Sequence, residues 1–345
     1  MTECGFAEPY VHERVTSAVA RAGRSCKRRL VMDQLRASPR LGTALEVDLE
    51  RLDAAIDEAI RVGAPRDLPV LGYGELTLVI GWPPQQPTVA VKRLPPFSDR
   101  DRLDAYAALL ERYIETLRER GLLVAQTEIR SHPGPRGTMR AYLVQPRVPR
   151  EQHLNVILAS ADEARAQELL ELVVENVHRC ADDVVGFDAQ AANWWVEDGE
   201  LGYLDVSTPM LRDRDWRELL DVALFLSVYP WATRPVLARI APGVMAQYHE
   251  PRIVLLDCAS NLHKEGLDHC VPALLRAANR RLERPLTAAD VRRYFRQDKL
   301  LWALMQRLRL ADRGWQRHVR HRPYPLLLPP RYRYGPPRRA KEHSP

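Results

Sequence analysis

The chain of 345 residues lacks any long hydrophobic run, and none approaches the roughly 20 apolar residues that a membrane helix needs. Its first residues, MTECGFAEPYVHERV, also lack the basic-then-apolar pattern of a secretory signal. We therefore expect a cytoplasmic protein without a membrane partner. The five cysteines are few, scattered and odd in number, which predicts reduced thiols and argues against a disulfide framework.

Acidic residues are scarce near the C-terminus. From Arg313 onward there are nine Lys or Arg and one acidic residue, so the net charge of +6 belongs to the tail. A basic tail can contact nucleic acid, and Arg331–Tyr334 alternates basic and aromatic residues. One such quartet is thin support. We favour a solvated end, and we expect no nucleic-acid partner. No pattern indicates an oligomeric state.

Signatures of two other site classes are missing or incomplete. No Gly-x-Ser-x-Gly motif is present to anchor a hydrolase triad. Four residues could ligate zinc, but their spacing matches no recognised zinc finger. We interpret them as core thiols and surface histidines: Cys258, His263, His269 and Cys270.

The apolar periodicity divides the chain in two. Before about residue 146, it predicts a helix over 44–62, strands from Leu68 through Leu94, a helix over 101–120, and two strands near 122–130 and 140–145. After that point the pattern is mostly helical, and the predicted helices cover 161–179, 215–227, 234–250, 267–282 and 287 to about 319. Thr287 is a plausible N-cap of the last of these.

The stretch Val185–Met210 interrupts the helical half with a predicted hairpin. Asp188 and Asn193 precede its first apolar run, and Asp205 follows its second. Carboxylate and amide oxygens are the ligands that hard divalent cations prefer. The hairpin is therefore a candidate site for a metal ion and for activation of a hydroxyl group.

Residues suited to a nucleotide come earlier in the chain. Gly72 and Gly74 lie in a predicted strand turn, where backbone amides can approach a phosphate closely. Lys92 ends the apolar strand Val89-Ala-Val-Lys92, and the predicted helix after it carries Glu111 and Glu115.

This ordered set resembles the protein-kinase-like superfamily, in the style of the aminoglycoside and other small-molecule phosphotransferases, over roughly residues 68–309. The resemblance implies an α+β, two-lobed protein-kinase-like fold with a β-rich N-lobe and a mostly helical C-lobe. The implied boundaries are a helical N-terminal extension (1–67), the N-lobe (68–145), the C-lobe (146–322) and a disordered Pro/Arg-rich tail (323–345).

The resemblance also implies roles in the second lobe. Asp188 and Asn193 have the Asp-x4-Asn spacing of a kinase catalytic loop. Asp188 would accept or orient the proton of the acceptor hydroxyl, and Asn193 and Asp205 would hold Mg²⁺.

In the first lobe the resemblance implies an ATP site. Lys92 would hold the α- and β-phosphates and pair with Glu111, which we prefer to Glu115 because of its separation from Lys92. Gly72 and Gly74 would cover the phosphates. The strand that ends near Gln145 would be the hinge, whose backbone binds adenine.

Several departures from the family pattern bear on the substrate. Gly186-Phe187 stands where a His or Arg usually precedes the catalytic Asp, and Asp205-Val-Ser207 lacks the usual glycine. The short interval from Asp205 to the predicted helix at Asp215 leaves no room for a protein-docking activation loop. We therefore expect an ATP- and Mg²⁺-dependent phosphotransferase acting on a small-molecule hydroxyl. The alternative is a non-catalytic nucleotide-binding or scaffold protein, a pseudokinase.

Overall fold

The computed structural model describes residues 45–65, 67–74 and 78–328. Cys4, Cys26, the basic segment 21–29 and the tail from 329 onward lie outside the described residues, as do residues 75–77 of the glycine-bearing turn. The described chain is mixed α+β: an antiparallel sheet occupies its first half, and the second half is mostly helical. This confirms the predicted α+β class.

The first helix, α1 (Leu49–Val62), begins at Asp48, whose carboxylate accepts a hydrogen bond from the Arg51 amide, and ends at Gly63 in the left-handed conformation. Five strands then form one sheet, and a long helix, α2 (Arg100–Glu119), follows the third of these strands in the chain. The strands are β1 (Val70–Tyr73), β2 (Leu78–Trp82), β3 (Val89–Arg93), β5 (Glu128–Pro133) and β6 (Met139–Pro146). Their spatial order is β1-β2-β3-β6-β5.

The sheet is buried on both faces, because successive side chains of a strand point in opposite directions. Along β6, Tyr142 and Val144 belong to the core under α1, whereas Ala141 and Leu143 belong to the core that includes α2. Asp53 of α1 is buried and accepts a hydrogen bond from the Tyr142 hydroxyl, which fixes the helix on its face of the sheet.

The predicted strand over 122–130 is two strands. β4 (Leu123–Val124) leaves the large sheet and pairs in parallel with the hairpin of β7 (Trp194–Glu197) and β8 (Glu200–Tyr203). Only β5 continues in the large sheet. This connection through β4 ties the predicted hairpin to the chain that precedes the second half.

The helices of the second half are α3 (Leu154–Leu158), α4 (Glu163–Cys180), α5 (Val222–Leu226), α6 (Arg234–Gln247), α7 (Pro251–Lys264), α8 (Val271–Asn279) and α9 (Ala288–His318). The cap of α9 is as predicted: Thr287 and Asp290 form a reciprocal capping box. Helices α3 and α7 are not predicted by the apolar periodicity.

The predicted helix over 215–227 is wrong for its first half. The Asp213 carboxylate accepts hydrogen bonds from the Asp215 and Arg217 amides, and Trp216 has a φ of 63°. These turn features leave only the short α5 as helix.

The interpretation of 323–345 as a disordered tail is wrong for its first residues. Tyr324, Leu326 and Leu327 are buried, and the Tyr324 hydroxyl donates to the Val228 carbonyl at 2.6 Å. The Leu327 carbonyl accepts from the Leu78 amide at 3.2 Å, at the start of β2. The chain after α9 therefore packs back onto the sheet. Among the described residues, no helix is both long and apolar enough to cross a membrane.

Candidate active site

Lys92 lies in the middle of the large sheet. The register pairs Gly72 with Val79, Val79 with Lys92, and Lys92 with Leu143, so these residues form one row across four strands. Residues directly opposite each other in a sheet share a face. Lys92 therefore points to the side of Leu143 and α2. Gly72 lies two strands away in the same row, at roughly 10 Å from the spacing of strands.

The Lys92 ammonium reaches the segment after the hairpin. It donates to both carboxylate oxygens of Asp205, at 3.2 and 3.1 Å, and to the Ser207 hydroxyl at 2.6 Å. The Ser207 hydroxyl in turn donates to Asp205 Oδ1 at 2.6 Å, and the Ser207 amide donates to the same oxygen at 3.1 Å. Lys92, Asp205 and Ser207 thus form a closed triangle of polar contacts.

This triangle keeps Asp205 ionised. Burial by itself would raise the pKa of the Asp205 carboxyl, but the charge of Lys92 and the hydrogen bonds from Ser207 outweigh it and hold that pKa below its ordinary value. The side chain of Asp205 is still 34% exposed and that of Lys92 is 19% exposed. A ligand can therefore reach an anionic carboxylate here.

The register of the hairpin places Asn193 next to the segment that carries Asp205. Trp194 pairs with Tyr203, and the Leu204 amide donates to the Asn193 carbonyl at 2.8 Å. Asn193 therefore lies opposite the residue that immediately precedes Asp205. The two predicted metal ligands stand at one end of the hairpin because its strands are antiparallel.

Asp188 is held through its backbone. Its carbonyl accepts from the Tyr203 hydroxyl at 2.9 Å and from the Asn193 side-chain amide at 3.4 Å. Asp188 Oδ1 caps a local turn by accepting from the Gln190 amide at 3.1 Å. The backbone of Asp188 is thus hydrogen-bonded both to β8, through Tyr203, and to Asn193, which immediately precedes β7.

The rings beneath this loop fix its position. Phe187, Trp194 and Tyr203 pack together with ring centroids 4.6 to 5.6 Å apart. From α2, the Tyr113 hydroxyl donates to the Gly186 carbonyl at 2.9 Å. Aromatic packing of this kind anchors the loop on a rigid base.

Gly186 occupies a position that leaves no room for a side chain. A Cβ atom there would lie 2.7 Å from Met210 Cβ and 3.0 Å from His249 Nε2. His249 is buried, and its ring nitrogens face the Asp182 carbonyl at 3.1 Å and the Glu218 carboxylate at 3.2 Å. An imidazole thus packs against the lead-in to Asp188 from a distant part of the chain, a role that the sequence did not reveal.

The expected pair of Lys92 with Glu111 does not form. Glu111 and Glu115 are both exposed, and the side-chain partners of Lys92 among the described residues are Asp205 and Ser207. The helix instead presents Tyr106, whose buried hydroxyl donates to the Ser207 carbonyl at 2.8 Å. Helix α2 therefore contacts the site through a neutral hydroxyl in place of a carboxylate.

Gln145 connects the sheet to the site. Its side-chain amide donates to the Leu204 carbonyl at 2.7 Å and to the Thr127 hydroxyl at 2.9 Å. The Leu204 carbonyl directly precedes Asp205, so this tether holds the end of β6 against the acidic residue. The side chain of Gln145 thus has a structural use that the hinge hypothesis did not include.

The four residues considered as zinc ligands do not form a cluster. His263 pairs with Asp268, His269 Nε2 lies 3.0 Å from the Leu158 carbonyl, and Cys258 and Cys270 are buried free thiols. Within the described residues, no group of three or more His, Cys, Asp or Glu could hold a metal ion.

The chain was compared with family models, curated proteins and solved structures. No curated protein matches the chain. The structure titled "WaaP in complex with acyl carrier protein" aligns with 78% of this chain and 98% of its own, at 15% identity and a TM-score of 0.37. Those values are too low to transfer a function. The model described as "Family of unknown function (DUF6206)" matches residues 51–313, and the chain belongs to that family.

Proposed function

We propose that this protein is an ATP- and Mg²⁺-dependent phosphotransferase with a two-lobed, protein-kinase-like fold, and that its acceptor is the hydroxyl group of a small molecule. The observation that carries the proposal is the convergence of Lys92, Asp205 and the Asp188–Asn193 loop at the end of one hairpin. A lysine from a sheet and an ionised carboxylate from the second half of the chain are the charges that phosphoryl transfer requires.

The donor set suits Mg²⁺ bound together with a nucleotide. In such sites Mg²⁺ usually keeps several waters and takes one or two protein carboxylates along with the substrate phosphates. Asp205 is ionised and reachable, and Asn193 supplies a neutral amide beside it. Bound Mg²⁺ would neutralise charge on the phosphates.

The protein groups have separate roles in this proposal. Lys92 would share its ammonium between Asp205 and the phosphates. The Gly72–Gly74 turn, whose Gly72 lies in the same row of the sheet as Lys92, would cover the phosphates. Asp188 would orient the acceptor hydroxyl and take its proton. Ser207 would keep Asp205 in place while Lys92 contacts the phosphates, because its hydroxyl and amide both donate to Asp205.

A small acceptor is favoured by the short path after the site. Between Ser207 and α5 the chain forms tight turns, with bridges from Val185 to Leu211 and from Arg212 to Glu218. These contacts leave little free chain for a peptide-docking platform.

Two observations favour a second candidate, a non-catalytic nucleotide-binding or scaffold protein. Lys92 is bound to the proposed metal ligand Asp205, and α2 offers Tyr106 where the resemblance implies a carboxylate. If this contact persists with nucleotide, Lys92 would neutralise Asp205 and weaken metal binding.

Mg²⁺-dependent ADP formation from ATP, with and without a panel of aminoglycosides and sugars, tests the proposal. Wild type should turn over ATP faster with an acceptor, and Asp188→Asn and Asp205→Asn should each lose about 10²-fold or more. Glu111→Gln, which changes an exposed carboxylate on α2, is the matched control and should retain activity. Nucleotide binding without turnover in wild type would favour the second candidate, and unchanged turnover in Asp205→Asn would contradict the proposed mechanism.

A further inference from the structure

We propose that helices α6 and α9, together with Trp231, form a docking surface for an anionic lipid bilayer; this α6–α9 surface is independent of the proposed function. The sequence led us to expect no membrane partner. The exposed side chains of these two helices lead to a different conclusion.

Large apolar side chains stand in solvent on both helices. On α6 they are Val236, Ile240 and Val244, which recur every four residues along one side of the helix. On α9, Leu300 and Leu304 are one turn apart, and Leu300 is 73% exposed. Single exposed apolar residues are ordinary, but a set of this size on neighbouring elements marks an interaction surface.

The two helices belong to one packed unit. Leu237 of α6 is buried in the same cluster as Tyr229 and Tyr324, and Met305 and Leu308 of α9 pack against that cluster. The exposed residues of α6 and α9 are therefore carried by helices that share a core.

Tryptophan occurs at both helices. Trp231, three residues before α6, is 69% exposed, and Trp315 near the end of α9 is 49% exposed. Tryptophan is favoured at the membrane–water interface, where its ring is partly apolar and its indole N–H stays hydrated.

The charge of the surface selects an anionic partner. Every exposed charged side chain on α6 and α9 is basic, among them Arg239, Arg296 and Arg307. Basic residues interleaved with apolar ones on one helix face are typical of helices that lie in the plane of an anionic membrane.

Other occupants fit less well. A second copy of the chain would bring two basic surfaces together. The segments 1–44 and 329–345 each carry more Lys and Arg than Asp and Glu, so they have the same sign as the surface. Nucleic acid would satisfy the arginines, but aliphatic side chains such as Leu300 and Ile240 offer it no stacking partner.

Co-sedimentation of the full chain with vesicles tests this proposal. Vesicles of phosphatidylcholine with about 30% phosphatidylserine, an anionic lipid that attracts basic segments, should bind the protein at least tenfold more tightly than pure phosphatidylcholine. Binding should weaken as salt increases. Equal partition to both vesicles, or to neither, would overturn the proposal.

Two double variants separate the apolar and the basic contributions. Leu300→Ser/Leu304→Ser and Arg296→Glu/Arg307→Glu should each reduce vesicle binding at least tenfold. The controls Val184→Ser and Arg112→Glu change exposed residues elsewhere and should bind as wild type does. Binding that survives both double variants would assign it to the flanking basic segments and contradict the proposal. The proposal would also be contradicted if the wild type formed a dimer that does not bind vesicles and if the Leu300→Ser/Leu304→Ser variant were a monomer.

Discussion

The ammonium of Lys92 lies 3.1 Å from the carboxylate of Asp205, although 113 residues separate the two in the chain. Lys92 is fixed by its register in the sheet, and Asp205 is fixed by the hairpin and by Ser207. The contact therefore joins the two halves of the described chain at the proposed nucleotide site, and it sets the charge state of the proposed metal ligand.

Removing the ammonium should destabilise the protein. Lys92→Met leaves the Asp205 carboxylate without its cation, which should lower the free energy of unfolding by about 1–2 kcal/mol. In a double-mutant cycle, Asp205→Asn should cost less in the Lys92→Met background, because it then removes a carboxylate that no longer has a cation beside it. Urea denaturation of the four proteins gives the coupling energy, and additive losses would show that the pair contributes nothing.

The Asp205 carboxylate should also shape the acid limb of stability. Its pKa in the folded chain lies below the ordinary value, so its contribution is fully present above the unfolded pKa of about 3.9 and is lost as the pH falls through the folded value. Between pH 5 and 2, Asp205→Asn should therefore lose stability less steeply than wild type. Parallel curves for the two proteins would contradict this assignment.

For Glu265 we expect stability to change with pH in the opposite direction. Burial raises the pKa of Glu265 to about 7, although the Asn155 amide donates to it at 2.8 Å. The folded state thus holds a proton that the unfolded state releases near pH 4.3, and stability should fall as the pH rises from about 4 to 7. Glu265→Gln should flatten the profile in this window, by up to about 3 kcal/mol. An unchanged slope in thermal unfolding would exclude Glu265 as its source.

On α2, the hydroxyl of Tyr106 should matter more for stability than the carboxylates of Glu111 and Glu115. Tyr106→Phe removes the hydrogen bond to the Ser207 carbonyl and leaves a buried acceptor unsatisfied, which should cost about 1–3 kcal/mol. Glu111→Gln and Glu115→Gln change exposed groups and should shift stability by less than about 0.5 kcal/mol. A larger loss in Glu111→Gln than in Tyr106→Phe would restore the expected lysine–glutamate pair.

Gly186 should tolerate no side chain. In Gly186→Ala, the new methyl group would meet Met210 and His249, and overpacking of this kind should cost about 1–3 kcal/mol. Gly243 of α6 is the matched control, because a methyl group there meets nothing within 4 Å. Gly243→Ala should be neutral or stabilise by up to about 1 kcal/mol. Equal effects of the two substitutions would show that the lead-in to Asp188 can adjust.

Sequence patterns were sufficient for the order of the main elements. Alternation predicted the strands around Lys92, and the polar residues flanking two apolar runs predicted the hairpin. The antiparallel pairing of that hairpin then brings Asn193 beside Asp205. Residues placed by local periodicity were therefore within reach of sequence reasoning.

The direction of Glu111 on α2 follows from helical periodicity. At 100° per residue, Glu111 and Glu115 lie about 140° and 180° around the helix from Tyr106, which belongs to its buried face. The apolar pattern of α2 already excluded both carboxylates from the sheet side. The expected Lys92–Glu111 pair rests on separation along the chain, which does not specify the direction of a side chain.

Contacts between distant segments had no signal in one sequence. Ser207 completes the contacts of Lys92, and Tyr106 reaches Ser207 from 101 residues away. The packing of Tyr324 and Leu327 was likewise hidden, because a Pro- and Arg-rich segment resembles a disordered one until its apolar residues find a core.

Isothermal titration with ATP, in the presence and absence of Mg²⁺, tests the central claim most directly. The account predicts that wild type binds ATP and that Mg²⁺ tightens binding at least tenfold. Lys92→Ala should weaken ATP binding with and without the metal, whereas Asp205→Asn should remove the effect of Mg²⁺. If wild type binds no ATP under either condition, or if both variants bind as wild type does, the Lys92–Asp205 site is not a nucleotide site.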